Sequence, residues 1–301
     1  MKQELVQKAL DNLREKLLIR TRKIRENFNK AMGYDEFKKL YSEYSEMFMK
    51  VASGEIEEKT FFDKKQELDS YAKKIGIPEY EIEYKCKKCS DSGIAEDGSY
   101  CTCLKKEISK ILIKNSGFTK LNDFSSSNFE IFSNGDEIKK IYDLMQKWCN
   151  KDSDKKLVYL LGNTGTGKTY LTSCMANEFI KQGKIVYMTT AFNLSQDFLK
   201  FHKNFDDRKK ADIFDNYLKT EILFIDDLGT EPIYNNVSRE YLYLLINERK
   251  IKNLRTIITS NLEPLDIREK YDERIFSRIM DKDSSIVLKL NSDDVRLKNK
   301  K

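Results

Sequence analysis

Histidine, tryptophan and proline are scarce in this chain: there is one His, one Trp and 3 Pro among 301 residues, with only 12 Gly. So little Pro and Gly excludes a low-complexity chain, and 16 Tyr with 17 Phe supply buriable surface that a solvated tail lacks. The single histidine, His202, lies far along the sequence from the cysteines grouped at 86–103, so no mixed Cys/His metal site is expected there, and His202 reads as a surface residue. Apolar runs are short as well. None approaches the ~20 residues of a membrane helix, and the first ten residues, MKQELVQKAL, lack the apolar stretch of an export signal. A cytoplasmic protein with no membrane partner is the expectation. Nor does one sign of charge prevail: 55 Lys+Arg stand against 49 Asp+Glu, a net +6. Divided at residues 85 and 117, no segment is strongly basic, so a nucleic-acid contact has to come from a local patch.

The length suggests about two domains. From the start to about residue 75 apolar positions recur at three and four: Leu5, Ala9, Leu13, Leu17, Ile24 and Phe28; then Phe37, Leu40, Tyr44, Met47 and Val51; then Phe61, Leu68, Tyr71 and Ile75. This spacing predicts three amphipathic helices, with Gly33 and Gly54 between them and Gly76 and Pro78 closing the set. They either pack on themselves as a small bundle or, because three short helices make a thin core, present a face to a partner. LKKEISKILIKNSG reads as a further helix ending at Gly117. From about residue 156 the runs LVYLL, KIVYM, ILFID, RTIIT and SIVLKL alternate with helical patterns, which predicts a parallel α/β sheet.

Between LVYLL and the helical TYLTSCMANEFIKQ stands GNTGTGKT, a G-x-x-x-x-G-K-[ST] nucleotide loop in its required setting. Amides at Gly162, Asn163, Thr164, Gly165, Thr166 and Gly167 can close around phosphates, and the following helix N-terminus at Thr169 and Tyr170 adds its positive end. Lys168 supplies a charge to the β/γ-phosphates, and the Thr169 hydroxyl supplies one Mg²⁺ ligand. A chance match arises in roughly one chain in a hundred of this length, and less often between a strand and a helix. ILFIDDLG offers the second metal anchor: Asp226 would hold Mg²⁺ and Asp227 would polarise the attacking water, since ligand sites of such sheets lie at the C-terminal ends of the strands. Two acids capping a turn are the alternative. RTIITSNL ends at the same edge with Thr259, Ser260 and Asn261, and Asn261 could bond both the γ-phosphate and the water, or merely form a turn. In YDERIFSRIMD, Arg274 and Arg278 share one helical face. Either could complete a neighbour's site as an arginine finger, which requires a ring or filament, or pair with Asp272, Glu273 or Asp281.

Cys86 and Cys89, then Cys101 and Cys103, place four thiols within eighteen residues around a Gly-containing loop, a pattern that fits tetrahedral Cys₄ zinc. Disulfides are disfavoured in a reducing compartment, and an iron–sulfur cluster has no other redox feature to support it. Cys149 and Cys174 read as small core residues. In the long stretch FNLSQDFLKFHKNFDDRKKADIFDNYLK, expected to form two helices, Lys200, Lys203, Lys209 and Lys210 interleave with Phe198, Phe201 and Phe205. That mixture suits single-stranded DNA, with Lys200, Phe201 and Lys203 as its contacts. A solvated helix with a buried Phe stripe is the equal alternative.

Taken together, GNTGTGKT, ILFIDDLGTE, TIITSNL, YDERIFSRI and the late Arg in SDDVRLK resemble the DnaC/DnaI-type replicative helicase loaders, which are AAA+ ATPases. The resemblance covers 118–301, and the cysteine segment resembles the zinc-bearing N-terminal part of some members. It implies an α/β AAA+ P-loop domain over 118–301 with a truncated lid. Ahead of it would stand a helical partner-binding domain (1–85) and a zinc module with its connecting helix (86–117). It further implies that Asn261 is sensor 1, Arg278 the arginine finger and Arg296 the sensor 2 residue in contact with ATP. The partners it implies are a hexameric replicative helicase, single-stranded DNA and further copies of the chain. Two features depart from the pattern: Asp227 stands where many AAA+ enzymes have Glu, which implies slow turnover, and only eleven residues follow SIVLKL, too few for a helical lid. An IstB-type transposition helper and a nucleotide-gated adaptor with little hydrolysis are the rival readings.

Overall fold

A computed structural model of the protein describes residues 3–115, 118, 120–203 and 214–294. Within them the chain divides into two compact units, Leu10–Asp97 in one and Gly98–Lys301 with Met1–Ala9 in the other. That boundary falls inside the segment 86–117 set apart by its cysteines.

The three expected helices are α1 (Gln3–Ala31), α2 (Asp35–Ala52) and α3 (Glu58–Lys74), and the first unit holds α1 from Leu10 onward with α2 and α3. Gly54 at φ +76 and Gly76 at φ +77 end α2 and α3 in the left-handed conformation that glycine takes without strain. The helices do bury a core of Ala31, Phe37, Leu40, Leu68, Ala72 and Tyr80. Its rings meet edge-on, Phe28 against Tyr41 at 4.9 Å and Phe37 against Tyr80 at 5.1 Å. Self-packing is not the whole account, because Phe48 and Phe62 are each 59% exposed. Lys65 crosses the bundle, its Nζ donating to Tyr80 Oη and Glu81 Oε2, each at 2.7 Å, while lying over the Tyr44 and Tyr80 rings.

The second unit holds α4 (Thr102–Asn115), α5 (Gly135–Asn150), β1 (Leu157–Leu161), α6 (Lys168–Lys181), β2 (Val186–Thr190) and α7 (Ala191–Lys203). It continues with β3 (Ile222–Leu228), α8 (Ser238–Ile251), β4 (Arg255–Ser260), α9 (Pro264–Lys270), α10 (Glu273–Ile279) and β5 (Ser285–Lys289). The strands form one sheet in the order β2-β3-β4-β1-β5, parallel at every pairing. Strand residues alternate between two cores. Tyr159, Leu223, Ile225 and Ile258 face a cluster that includes Leu194, Phe198, Leu245 and Ile275, while Val158, Leu160, Phe224 and Ile257 face Tyr142, Met145, Leu171 and Phe179. Burial on both faces explains the uninterrupted apolar runs in the sequence. The edge strand β2 is covered by α4, whose Ser109 Oγ accepts from Val186 N–H at 3.0 Å. The expected end of α4 at Gly117 lies outside the described residues. Residues 214–219 are helical.

Arg249 of α8 is fully buried and, among the described residues, has no carboxylate partner. It donates to Thr256 Oγ1 at 2.8 Å and to the carbonyls of Tyr217, Thr220 and Arg255 at 2.6, 2.9 and 2.6 Å. The guanidinium's fan of donors thereby ties α8 to β4 and to the approach to β3. No helix among the described residues is long and apolar enough to cross a membrane.

Candidate nucleotide-binding site

The loop 162–167 leaves the end of β1 and runs directly into α6, whose N-cap is Gly167 at φ +92. A side chain is excluded at Gly162, where a Cβ would stand 2.4 Å from the Leu290 carbonyl oxygen. Lys168 is 5% exposed and curls back over the loop: its Nζ donates to the carbonyls of Gly162 and Asn163 at 2.7 and 2.9 Å and to Asn261 Oδ1 at 2.7 Å. The loop and the end of β4, separate in sequence, therefore meet at one ammonium group. Asn261 also reaches Thr164 Oγ1 at 3.5 Å, and Thr166 Oγ1 donates to the Asn163 carbonyl at 2.9 Å. Tyr170 stacks on Tyr142 with centroids 6.4 Å apart.

The acidic pair ends β3 beside this loop. Asp226 is 7% exposed, accepts from Thr259 Oγ1 at 2.6 Å on Oδ1, and stands 3.2 Å from Thr169 Oγ1 on Oδ2. Burial pushes its carboxyl above the ordinary carboxylate value and the neighbouring Asp227 pushes the same way. Bonds from Thr259 and Thr169 and the charge of Lys168 pull it back in part. Two oxygen donors side by side in a dry setting fit a hard divalent cation. Asp227 is half-buried at φ +58, its amide donating to Thr259 Oγ1 at 2.8 Å. The next acid, Glu231, is committed elsewhere, accepting from Gly229 N–H at 2.8 Å and from the Tyr271 hydroxyl.

The two arginines separate clearly. Arg274 pairs with Glu240 at 3.0 Å and Asp272 at 3.1 Å. Arg278 donates instead to the neutral Asn247 Oδ1 at 3.0 Å and lines a cavity of about 200 Å³ with Lys156, Leu157 and Thr256, at the starting edge of β1 and β4. That edge is roughly 13 Å from the phosphate loop by the rise of the strand. Arg296 lies outside the described residues.

On α7, Lys203 is exposed and Lys200 pairs with Asp197 at 2.9 Å. Phe201, named above as a DNA contact, packs its ring against Phe214 at 5.0 Å and Tyr241 at 5.1 Å, and Phe198 is buried in the same cluster, as an amphipathic helix turns its aromatic stripe toward the core. Lys209, Lys210 and Phe205 lie outside the described residues. His202 is exposed as expected, with Nδ1 3.1 Å from Tyr241 Oη.

The four sulfurs of Cys86, Cys89, Cys101 and Cys103 all lie within 4.8 Å of one another. A zinc tetrahedron with bonds near 2.3 Å needs sulfurs about 3.8 Å apart, so this donor set fits it. The first pair is braced by its surroundings. Gly93 N–H points at Cys89 Sγ at 3.4 Å, and the Asp91 carboxylate accepts from Cys86 N–H at 2.7 Å, from Lys85 N–H at 3.1 Å and from Arg20. Cys149 and Cys174 are buried, as expected, and burial pushes the Cys174 thiol up to about 11.

Sequence reasoning passed over an aromatic wall beside the loop. Tyr142 Oη donates to the Gly167 carbonyl at 3.3 Å, Phe129 meets Tyr142 edge-on at 5.1 Å, and a Cβ at Gly167 would come 3.3 Å from the Phe132 ring. The signal available was the spacing Phe124, Phe129, Phe132 ahead of β1. Asp294 was passed over too; its carboxylate lies against Gly165.

A parallel sheet ordered β2-β3-β4-β1-β5, a glycine loop joining β1 to α6 and an acidic pair ending β3 define an AAA+ type P-loop ATP-binding domain. The family model described as IstB-like ATP binding protein matches residues 105–301, and the chain belongs to that family. It is also similar to the chromosomal replication initiator protein DnaA of Campylobacter jejuni subsp. doylei, 31% identical over 157 residues that cover 51% of this chain and 34% of the relative. The phage-like element PBSX protein XkdC of Bacillus subtilis is 24% identical over 65% of this chain and 78% of its own length. The chain thus spans about a third of the length of the initiators it matches. Among solved structures, DnaI matches at TM-score 0.43 and 21% identity over 58% of this chain and 90% of its own. The DnaC helicase loader matches at 0.46 and 18% over 55% and 96%.

Proposed function

We propose that the protein is an ATPase that loads a hexameric replicative helicase onto single-stranded DNA in replication initiation or restart, acting in the cytoplasm. The observation that carries the reading is the meeting of Lys168, Asn261, Thr169 and Asp226 at one sheet edge, in a chain that also has a helical unit with its own core. Relatives named for chromosomal replication initiation support the replication setting.

ATP would lie along 162–170, with Lys168 exchanging its loop carbonyls and Asn261 for the β/γ-phosphates. Thr169 and Asp226 would hold Mg²⁺, which neutralises phosphate charge when bound. Asp227 accepts the proton of the attacking water, and Asn261, freed from Lys168, orients that water. One methylene shorter than Glu, Asp227 reaches less far, and turnover is slow. Arg278 acts on a neighbouring copy, because it stands at the opposite edge of its own sheet. Self-association into a ring or spiral follows from that role. The four cysteines hold zinc, the helical unit 1–85 with the zinc segment 86–117 grips the helicase, the ATPase region 118–301 drives loading, and Lys200 and Lys203 meet the DNA backbone.

The test is binding of purified replicative helicase to the full chain, with ATP turnover measured with and without single-stranded DNA. Helicase capture with DNA-modulated turnover supports loading; helicase indifference with capture of a transposase supports the transposition helper instead. That second reading is favoured by the description of the matching family model. Nucleotide binding without measurable turnover would support the adaptor.

A further inference from the structure

The ladder between β3 and β4 is interrupted at one place. Ile225 pairs with Ile258 and the next register pair is Leu228 with Ser260, so Asp226 and Asp227 together face the single residue Thr259. Two residues opposite one make a β-bulge, which bends a strand and re-aims a side chain. In a regular strand adjacent residues point to opposite faces, and two consecutive acids could not serve one site. Here the bulge puts Asp227 at φ +58, a conformation that a non-glycine residue keeps only where its surroundings hold it.

Thr259 does the holding. Its buried hydroxyl accepts from Asp227 N–H at 2.8 Å and donates to Asp226 Oδ1 at 2.6 Å. A hydroxyl has one proton and two lone pairs, so both bonds are made at once. The adjacent Ser260 mends the far side of the bulge, donating to the Leu228 carbonyl and accepting from Leu262 N–H at 3.0 Å. The other oxygen of Asp226 is thereby left toward Thr169.

We infer that Thr259 is the positioning residue of the site: through one hydroxyl it sets the carboxylate of the metal-holding Asp226 and the left-handed peptide of the water-polarising Asp227. This rests on the nucleotide reading above. A valine has the shape without the hydroxyl; a serine has the hydroxyl without the methyl.

The experiment uses the full chain and follows a fluorescent ATP analogue at equilibrium, first in EDTA and then across a Mg²⁺ titration, with turnover measured in parallel. Thr259→Val is expected to keep metal-free nucleotide affinity, to need about tenfold or more Mg²⁺ for half-maximal enhancement of binding, and to lose turnover by about a hundredfold, the range seen when a supporting hydrogen bond to a metal ligand is removed. Thr259→Ser is expected to restore both to near the parent. A Thr259→Val protein with the parent's Mg²⁺ dependence and turnover overturns the inference alone, and so does a serine variant as damaged as the valine one, since packing would then explain the loss. Serine recovery keeps the test decisive even where valine lowers stability. A parent that binds no nucleotide with or without Mg²⁺ overturns the nucleotide reading instead.

Discussion

The carboxylate of Asp294 lies against Gly165 in the middle of the phosphate loop: its Oδ1, Cγ and Oδ2 fall 1.9, 2.1 and 2.6 Å from where a Cβ at position 165 would stand. Only a glycine, here at φ +81, admits that approach. The carboxylate carries the sign of a phosphate and competes for the same loop. Asp294→Ala is therefore expected to tighten Mg·ATP binding by about 1 kcal/mol, roughly fivefold in Kd, as two like charges a few ångströms apart near water repel by that much. Gly165→Ala should displace the tail and abolish binding. Titration calorimetry with both variants checks this, and weaker binding by Asp294→Ala would assign that carboxylate to the bound state.

Lys168→Ala removes an ammonium that three acceptors share, and no other cation in the loop can replace it. Loss of Mg·ATP binding at micromolar protein is expected, with the near-ultraviolet circular dichroism of the fold retained. Undiminished affinity would remove the loop from the nucleotide site.

The buried carboxylate of Asp226 costs the nucleotide-free fold stability. Its folded carboxyl titrates above the ordinary value because burial penalises the charge. The folded state consequently holds a proton that the unfolded chain has released, and stability falls as pH rises from the ordinary carboxylate value through the raised one. Asp226→Asn should raise the melting temperature of nucleotide-free protein at neutral pH, flatten this acid-side pH dependence, and lose Mg²⁺ enhancement of nucleotide binding. Differential scanning calorimetry across pH checks the first two.

Metal analysis of protein purified without added metal should find about one zinc per chain, because Cys₄ sites hold zinc tightly at neutral pH. Cys86→Ser should lose the zinc. Asp91→Ala, which frees the amides of Lys85 and Cys86 and the Arg20 head, should lower zinc affinity by about tenfold as a supporting contact does. Iron in place of zinc, or an Asp91→Ala protein with the parent's affinity in a chelator competition, would contradict this.

Arg278→Ala should keep ATP affinity and lose turnover, and mixing it with Lys168→Ala should restore part of the activity, because the second variant lends an intact arginine to the first one's intact pocket. Inactivity at every mixing ratio would place Arg278 within its own subunit.

How much of this was legible beforehand depends on the range of the interaction. The three N-terminal helices, the five strands and the phosphate loop follow local rules: periodicity of three and four, short apolar runs between helices, and glycines spaced for a turn. Their order along the chain therefore announces an α/β nucleotide-binding domain with a helical preface and a cysteine-rich segment. Tertiary structure alone decided what depends on registration between distant strands and helices. That Phe201 packs against Phe214 follows from where α7 docks, which the sequence pattern does not specify. The bulge that sets Asp226 and Asp227 against one threonine exists only in the pairing of β3 with β4. Only the fold surrounds Arg249 with three carbonyls and a hydroxyl. Local propensity is written in neighbouring residues, whereas a hydrogen bond between residues 32 apart, as in Asp227 to Thr259, or 93 apart, as in Lys168 to Asn261, is specified only once the core has fixed the backbone that carries both partners.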